Sequence, residues 1–193
     1  MKIVGGSARG RILEAPPGRN TRPTSAVLRE ALFGILAQRV PGARVLDLFC
    51  GSGAIALEAI SRGAKSAVMI DADAKAVQTA VKNTNALNMQ AQCRVYRNDF
   101  ERALRILQRK GERFDVVYVD PPYRAGLYER ALKGLFPALV SENGCVILEH
   151  AATMDMPRVP ALCHWEWTRA YGTRAITMYT GGSDENGHFS GQL

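Results

Sequence analysis

The chain has 193 residues, 47% apolar and 22% charged, with 25 Lys and Arg against 18 Asp and Glu. These proportions describe one globular domain with at most an appended arm, and they exclude a mostly disordered chain. No apolar run approaches the ~20 residues of a membrane span, and the start MKIVGGSARGR has no apolar stretch ahead of a cleavage site, so a cytoplasmic protein is expected.

The charge is unevenly spread. Residues 1–44 hold eight Lys and Arg against only Glu14 and Glu30, whereas the other 149 residues hold 17 basic and 16 acidic side chains. A basic N-terminal quarter points to a polyanionic partner met by one region; the alternative is a basic face kept for solubility. Cys50, Cys93, Cys145 and Cys163 form no C-x-x-C pair and read as small buried hydrophobes, neither a disulfide frame nor a metal site.

In chain order, Ile3-Val4 and Ile12-Leu13 flank a Gly- and Arg-bearing turn and predict a small hairpin, followed by a Pro/Gly/Asn loop. Leu28, Leu32, Ile35 and Leu36 recur at helical spacing, with Thr24 or Ser25 as N-cap and Pro41-Gly42 as the stop, predicting a helix of about four turns. Strands and helices then alternate: strand 45–49, helix 54–62, strand 67–71, and helix 74–87 with Val77, Ala80, Val81 and Leu87 on its apolar face. Strand 94–96, helix 101–108, strand 116–120, helix 127–139 and strand 145–149 follow. Such alternation gives a parallel sheet with helices on both faces. Runs 165–171 and 175–180, joined at Gly172 with no room for a helix, predict an antiparallel hairpin at the sheet edge. The expected organisation is therefore a basic hairpin, loop and helix over 1–43, an α/β domain over 44–180, and a polar, Gly-rich tail over 181–193.

Two motifs carry chemistry. Asp47-Leu-Phe-Cys-Gly-Ser-Gly lies directly between a strand and a helix, and with Ala56 and with Asp71 twenty residues beyond Gly51 it satisfies a dinucleotide-binding pattern. Asp47 argues against a pyrophosphate, because a carboxylate at that mouth repels phosphate and attracts a cation. S-adenosylmethionine fits: Asp47 faces its ammonium group, Asp71 its ribose, and Asn98-Asp99-Phe100 its adenine. An Asp in the position of Asp99 is also a common helix N-cap.

The second motif is Asp120-Pro121-Pro122-Tyr123, at the carboxyl end of the fourth strand, where open parallel sheets bind ligands. The prolines fix φ and remove donors, leaving carbonyls as acceptors. Acceptors suit alkylation of an exocyclic base amine: the Asp120 carboxylate and the Pro121 carbonyl each take one N–H and stabilise the developing positive charge, while Tyr123 stacks on the base.

Together these motifs resemble those of the class I S-adenosylmethionine-dependent N-methyltransferases. With Ile3-Val4-Gly5-Gly6, Arg9-Gly10-Arg11, Thr21-Arg22-Pro23-Thr24 and Arg29-Glu30-Ala31-Leu32-Phe33, the chain resembles the RsmD family, bacterial methyltransferases of guanine N2 in 16S ribosomal RNA. The resemblance implies a Rossmann-like, seven-stranded, mostly parallel sheet with an antiparallel C-terminal hairpin, acting as a monomer on the 30S subunit or its precursor. It places Asp47, Phe49, Gly51, Gly53, Asp71, Asn98, Asp99 and Phe100 at the cofactor. Asp120, Pro121, Pro122 and Tyr123 fall at the target guanine, and Arg9, Arg11, Arg22, Thr24 and Arg29 at RNA. Cys50 and Asp71 stand where the family more often has Ala and Glu. Three rivals remain: adenine-N6 methylation of DNA, a non-catalytic RNA-binding protein of the same fold, and a nicotinamide oxidoreductase. The first lacks a DNA-recognition region, the second would lose the acceptor set, and the third conflicts with Asp47.

Overall fold

The computed structural model describes residues 1–17, 25–122, 126–159 and 161–181. Its strands are β1 (Arg44–Asp47), β2 (Ser66–Asp71), β3 (Cys93–Arg97), β4 (Phe114–Val119), β5 (Val140–Ala151), β6 (Cys163–Tyr171) and β7 (Arg174–Gly181). Its helices are α1 (Ala26–Ile35), α2 (Ala54–Ser61), α3 (Ala74–Ala86), α4 (Phe100–Arg109) and α5 (Leu127–Leu135). The strands form one seven-stranded sheet in the order β3-β2-β1-β4-β5-β7-β6. β1 to β5 pair in parallel, and β7 runs antiparallel to both β5 and β6. The order reverses direction between β1 and β4, so the crevice outside their carboxyl ends is the place for a ligand.

Because side chains alternate across a sheet, each strand feeds two cores. Val45, Ala67, Met69, Val116, Cys145, Ile147 and Ile176 pack with α1, α2 and the N-terminal arm on one face. Leu46, Val68, Ile70, Val117, Val146 and Leu148 pack with α4 and α5 on the other. Cys50, Cys145 and Cys163 are buried and Cys93 is half-buried, as apolar fillers.

The described part of the arm packs into the first core: Ile3 and Leu13 are buried there with Leu28, Leu32 and Phe33 of α1. The expected hairpin is a narrow antiparallel pair: Lys2 bridges Ile12, and the Ile3 amide donates to the Arg11 carbonyl at 2.9 Å. It lies across α2, every residue of which is buried. The Glu58 carboxylate, fully buried on α2, accepts the Val4 amide at 2.8 Å, the Gly5 amide at 2.7 Å and Arg62 Nε at 2.9 Å. The Ser61 hydroxyl donates to the Gly5 carbonyl at 2.6 Å and accepts the Ala8 amide at 2.8 Å. Gly6 has φ +75°, and a Cβ there would sit 1.9 Å from the Ser61 carbonyl oxygen, so only glycine permits this approach.

Three expectations change. The buried face of α3 is rotated: Ala76, Thr79, Ala80, Asn83 and Thr84 face inward, while Val81 is 40% exposed. Polar side chains win this face because each is satisfied there. Thr79 and Thr84 donate to the Lys75 and Ala80 carbonyls, and Asn83 donates to the carbonyls of Ser52 and Glu14 and accepts the Glu14 amide. α5 ends at Leu135, short of residue 139, because Pro137 drives Phe136 to extended backbone (φ −93°, ψ 144°). α1 closes at Ile35 after ten residues, capped by the Ser25 hydroxyl accepting the Leu28 amide at 3.1 Å. The tail expected over 181–193 lies, from 182 onward, outside the described residues.

Candidate active site at the carboxyl edge of the sheet

β1, β2 and β4 run in register, with Asp47 opposite both Met69 and Tyr118. Their carboxyl ends therefore bring Asp47, Asp71 and Asp120 to one edge on the face shared with α2, and Glu149 of β5 joins them there. Four carboxyls gathered at the end of an apolar sheet define the site.

The glycine motif forms the turn expected of it. Gly51 and Gly53 have φ +54° and +79°, and a Cβ on Gly53 would lie 2.8 Å from the Met69 sulfur. Asp71, 5% exposed, braces the turn: one carboxylate oxygen accepts the Gly51 amide and the other the Asp73 amide, both at 2.9 Å. Its own carbonyl accepts the Asn98 amide at 3.0 Å, tying the end of β3 to the same corner. Asp99 caps α4 through Oδ1, which accepts the Glu101 and Arg102 amides at 3.0 and 3.2 Å. Phe100 is 7% exposed and packs against Phe49 with ring centroids 5.4 Å apart, giving an apolar wall beside Asn98.

Asp47 is 2% exposed, and its Oδ2 has no hydrogen-bond partner among the described residues. Burial pushes its carboxyl up to about 8; the Ala56 amide opposes this, and the negative charges of Asp71, Asp120 and Glu149 reinforce it. A buried carboxylate oxygen without a donor is costly unless a ligand supplies one. An ammonium group at this position supplies both the donor and the charge, whereas a phosphate would add a fifth negative centre. The donor set thus fits a cationic ligand.

Asp120 sits at the end of β4 beside buried Pro121 and exposed Pro122. Its neighbours lie outside both sequence motifs. Arg174 Nη2 lies 3.4 Å from both Asp120 oxygens and 2.7 Å from Glu149 Oε1. Glu149 is fully buried and also accepts the Tyr118 hydroxyl, while the Tyr128 hydroxyl donates to its backbone carbonyl at 3.0 Å. A signal was present: Glu149 and His150 are polar residues at the carboxyl end of the otherwise apolar run Cys145-Val-Ile-Leu, and such residues in a parallel sheet mark a site. His150 itself is spoken for, with one ring nitrogen 2.8 Å from the Ala151 carbonyl and the other 2.8 Å from the Thr177 hydroxyl.

The expected RNA contacts divide. Arg9 is exposed. Arg11 is exposed but donates to the Ala86 carbonyl at the end of α3, at 2.6 Å. Arg29, expected at RNA, is internal: it is 2% exposed and donates to the Lys2 carbonyl at 2.8 Å and to the Met1 sulfur at 3.4 Å, so it does not face phosphates in solvent. Desolvation lowers its pKa, and Glu58, Tyr118 and Glu149 counter that shift. Arg22, Thr24 and Tyr123 lie outside the described residues. Among the described residues no group of side chains is arranged to hold a metal, and no helix is long and apolar enough to cross a membrane.

Residues 1–180 match the family model described as Conserved hypothetical protein 95. Ribosomal RNA small subunit methyltransferase D of Escherichia coli K12 is 35% identical over 185 residues, 93% of this chain and 89% of the relative. YlbH of Bacillus subtilis strain 168, which bears an rRNA methyltransferase name, is 34% identical over 184 residues, 93% of this chain and 98% of its own. Among solved structures, a hypothetical protein of Thermus thermophilus superposes with a TM-score of 0.79 at 34% identity, over 92% of this chain and 98% of that one. At 22% identity the likeness extends, as fold alone, to a T. thermophilus 16S rRNA methyltransferase (TM-score 0.66, 87% of this chain and 45% of that one).

Proposed function

Because the chain belongs to the RsmD family over residues 1–180, we propose that it methylates the exocyclic N2 amine of a guanine in 16S ribosomal RNA, with S-adenosylmethionine as cofactor. The observation that carries this reading is the pairing of two unlike carboxylates at one edge. Asp47 is buried with an oxygen waiting for a cation, and Asp120 is 26% exposed at the mouth.

S-adenosylmethionine supplies an electrophilic methyl group on a sulfonium. Asp47 would hold the ammonium group of its methionine part, the brace formed by Asp71 would meet the ribose, and Asn98 with the Phe49–Phe100 wall would flank the adenine. Gly51 and Gly53 let the backbone approach closely.

On the substrate side, the guanine amine lone pair is delocalised into the ring and becomes nucleophilic as the nitrogen turns tetrahedral. The Asp120 carboxylate and the Pro121 carbonyl accept its two N–H groups, favour that geometry and stabilise the charge that develops on nitrogen. The methylated amine then loses a proton to water, so no strong base is needed. Tyr123, next in the chain, is assigned to stack on the base. The substrate would be the 30S subunit or its precursor in the cytoplasm, with the enzyme acting as a monomer.

Tritium transfer from S-adenosylmethionine to 30S particles lacking the modification, against adenine-containing duplex DNA, tests the reading. Label in 16S rRNA that digests to N2-methylguanosine is expected. Label in DNA and none in ribosomal particles would establish the adenine-N6 alternative instead.

A further inference from the structure

The near-neutral balance of residues 45–193 conceals a second basic surface. Residues 94–113 hold seven Lys and Arg against Asp99, Glu101 and Glu112. On α4, Arg102, Arg105 and Arg109 fall on one face and are exposed, and none of them forms an ion pair among the described residues. The helical rise of ~1.5 Å per residue sets them ~4.5 to 6 Å apart along the axis, a row suited to successive phosphates of one strand. Nearby acids are already engaged: Asp99 caps the helix, Glu101 pairs with Arg130 at 2.7 Å, and Glu112 pairs with Arg44 and Arg94.

Beside this row lies a cavity of about 290 Å³ between β3 and α4. Ile70 and Leu107 line it with Tyr96, and its charged lining is Arg94, Arg97 and Lys110 against Glu112. Tyr96, on the edge strand β3, is 44% exposed. An aromatic wall with cations at its rim is the arrangement that holds an unstacked base by its face and the flanking phosphates by charge. Three exposed arginines in a row, with no ion pair among the described residues, favour a polyanionic strand as the occupant.

α4 packs on the sheet face opposite to the N-terminal arm, and its first turn starts at the carboxyl edge where Asp120 lies. We propose that the α4–β3 face is a second RNA-docking surface. Arg102, Arg105 and Arg109 track the backbone and the Tyr96 cavity takes one unstacked nucleotide, so that the substrate grips the enzyme on both sides of the catalytic edge. The inference rests on the proposed RNA substrate but is read by binding and not by turnover.

The test measures affinity of the full chain for unmethylated 30S particles and for protein-free 16S rRNA across a salt series. Wild type is compared with Arg105→Glu/Arg109→Glu and with Tyr96→Ala, with S-adenosylhomocysteine titration and thermal melting as controls for the fold. The double variant is expected to bind both substrates at least about tenfold more weakly, with the salt slope lowered by about two phosphates' worth. Tyr96→Ala is expected to weaken binding about tenfold with the slope unchanged. Wild-type affinity and slope in both variants would overturn the proposal, and loss of binding to particles but not to protein-free rRNA would replace RNA by an acidic protein partner. Wild-type protein that binds neither substrate and transfers no methyl group to either would instead sink the proposed function itself.

Discussion

Arg174, the first residue of β7, sets its guanidinium 3.4 Å from both oxygens of Asp120, which stands 54 positions earlier in the chain. The same Nη2 is 2.7 Å from Glu149, so one cation lies between two carboxylates and keeps one of them at the mouth of the site. With 23% of its side chain exposed, Arg174 is only partly screened by water. Its removal would leave Glu149 buried with less compensation and Asp120 less fixed. Arg174→Gln is therefore expected to lower kcat by about tenfold or more with cofactor affinity nearly unchanged, and Arg174→Lys to restore part of it. Asp120→Ala should abolish turnover with the same unaltered affinity, because its contacts matter mainly in the transition state. Single-turnover methyl transfer and isothermal titration with S-adenosylhomocysteine check both.

Asp47 links cofactor binding to pH. Its carboxyl stands near 8 in the folded protein against an ordinary 3.8, so the folded state holds the proton more tightly than the unfolded chain. The contribution of this group to stability is fully present below pH 3.8 and is lost as the pH rises through the folded value of about 8. A cationic ligand favours the ionised form, so binding at neutral pH should release a proton and tighten as the pH climbs toward 8. Calorimetric titrations in two buffers of different ionisation heat will show this release. Asp47→Asn should remove it, flatten the stability profile and weaken S-adenosylmethionine by at least about tenfold.

The arm should come loose when its anchor is altered. Glu58→Gln keeps the shape but weakens three charge-assisted acceptor contacts, to Val4, Gly5 and Arg62, and is expected to cost about 1.5 to 3 kcal/mol. Gly6→Ala places a methyl into the Ser61 carbonyl and should cost at least as much. Urea unfolding gives the stabilities. Faster amide exchange at Val4, Gly5 and Ala8 would locate the loss in the arm.

Arg9 and Arg29 should separate in a salt titration. Arg9→Ala, an exposed change, is expected to leave stability alone and lower the salt slope of RNA binding by about one phosphate. Arg29→Gln removes a guanidinium bonded inside the molecule, so it should lower the melting temperature and leave the slope as it was.

The alternation of apolar runs fixed the order of the elements, because period-2 and period-3.6 patterns are local and survive without knowledge of neighbours. Where a polar side chain has a distant partner, that pattern misleads. Asn83 turned the buried face of α3 by reaching Ser52 and Glu14, and Arg29 went inward because the Lys2 carbonyl and Met1 sulfur were waiting for it. Arg174 sits in no motif and takes its meaning from Asp120 and Glu149 across the sheet, whereas Glu149 is marked in the sequence only as a polar residue at the end of an apolar strand.

By itself the sequence determined a basic N-terminal quarter, a parallel α/β sheet closed by an antiparallel hairpin, and two acid-bearing turns at strand ends. Each of these depends on residue type and spacing alone. Only the tertiary structure decided that the arm is welded to α2 through Glu58, that one of its arginines is internal, and that Asp120 is held by Arg174. Those outcomes turn on which polar groups find partners when water is excluded, and partners 27 to 54 positions apart are brought together by the fold and by nothing local.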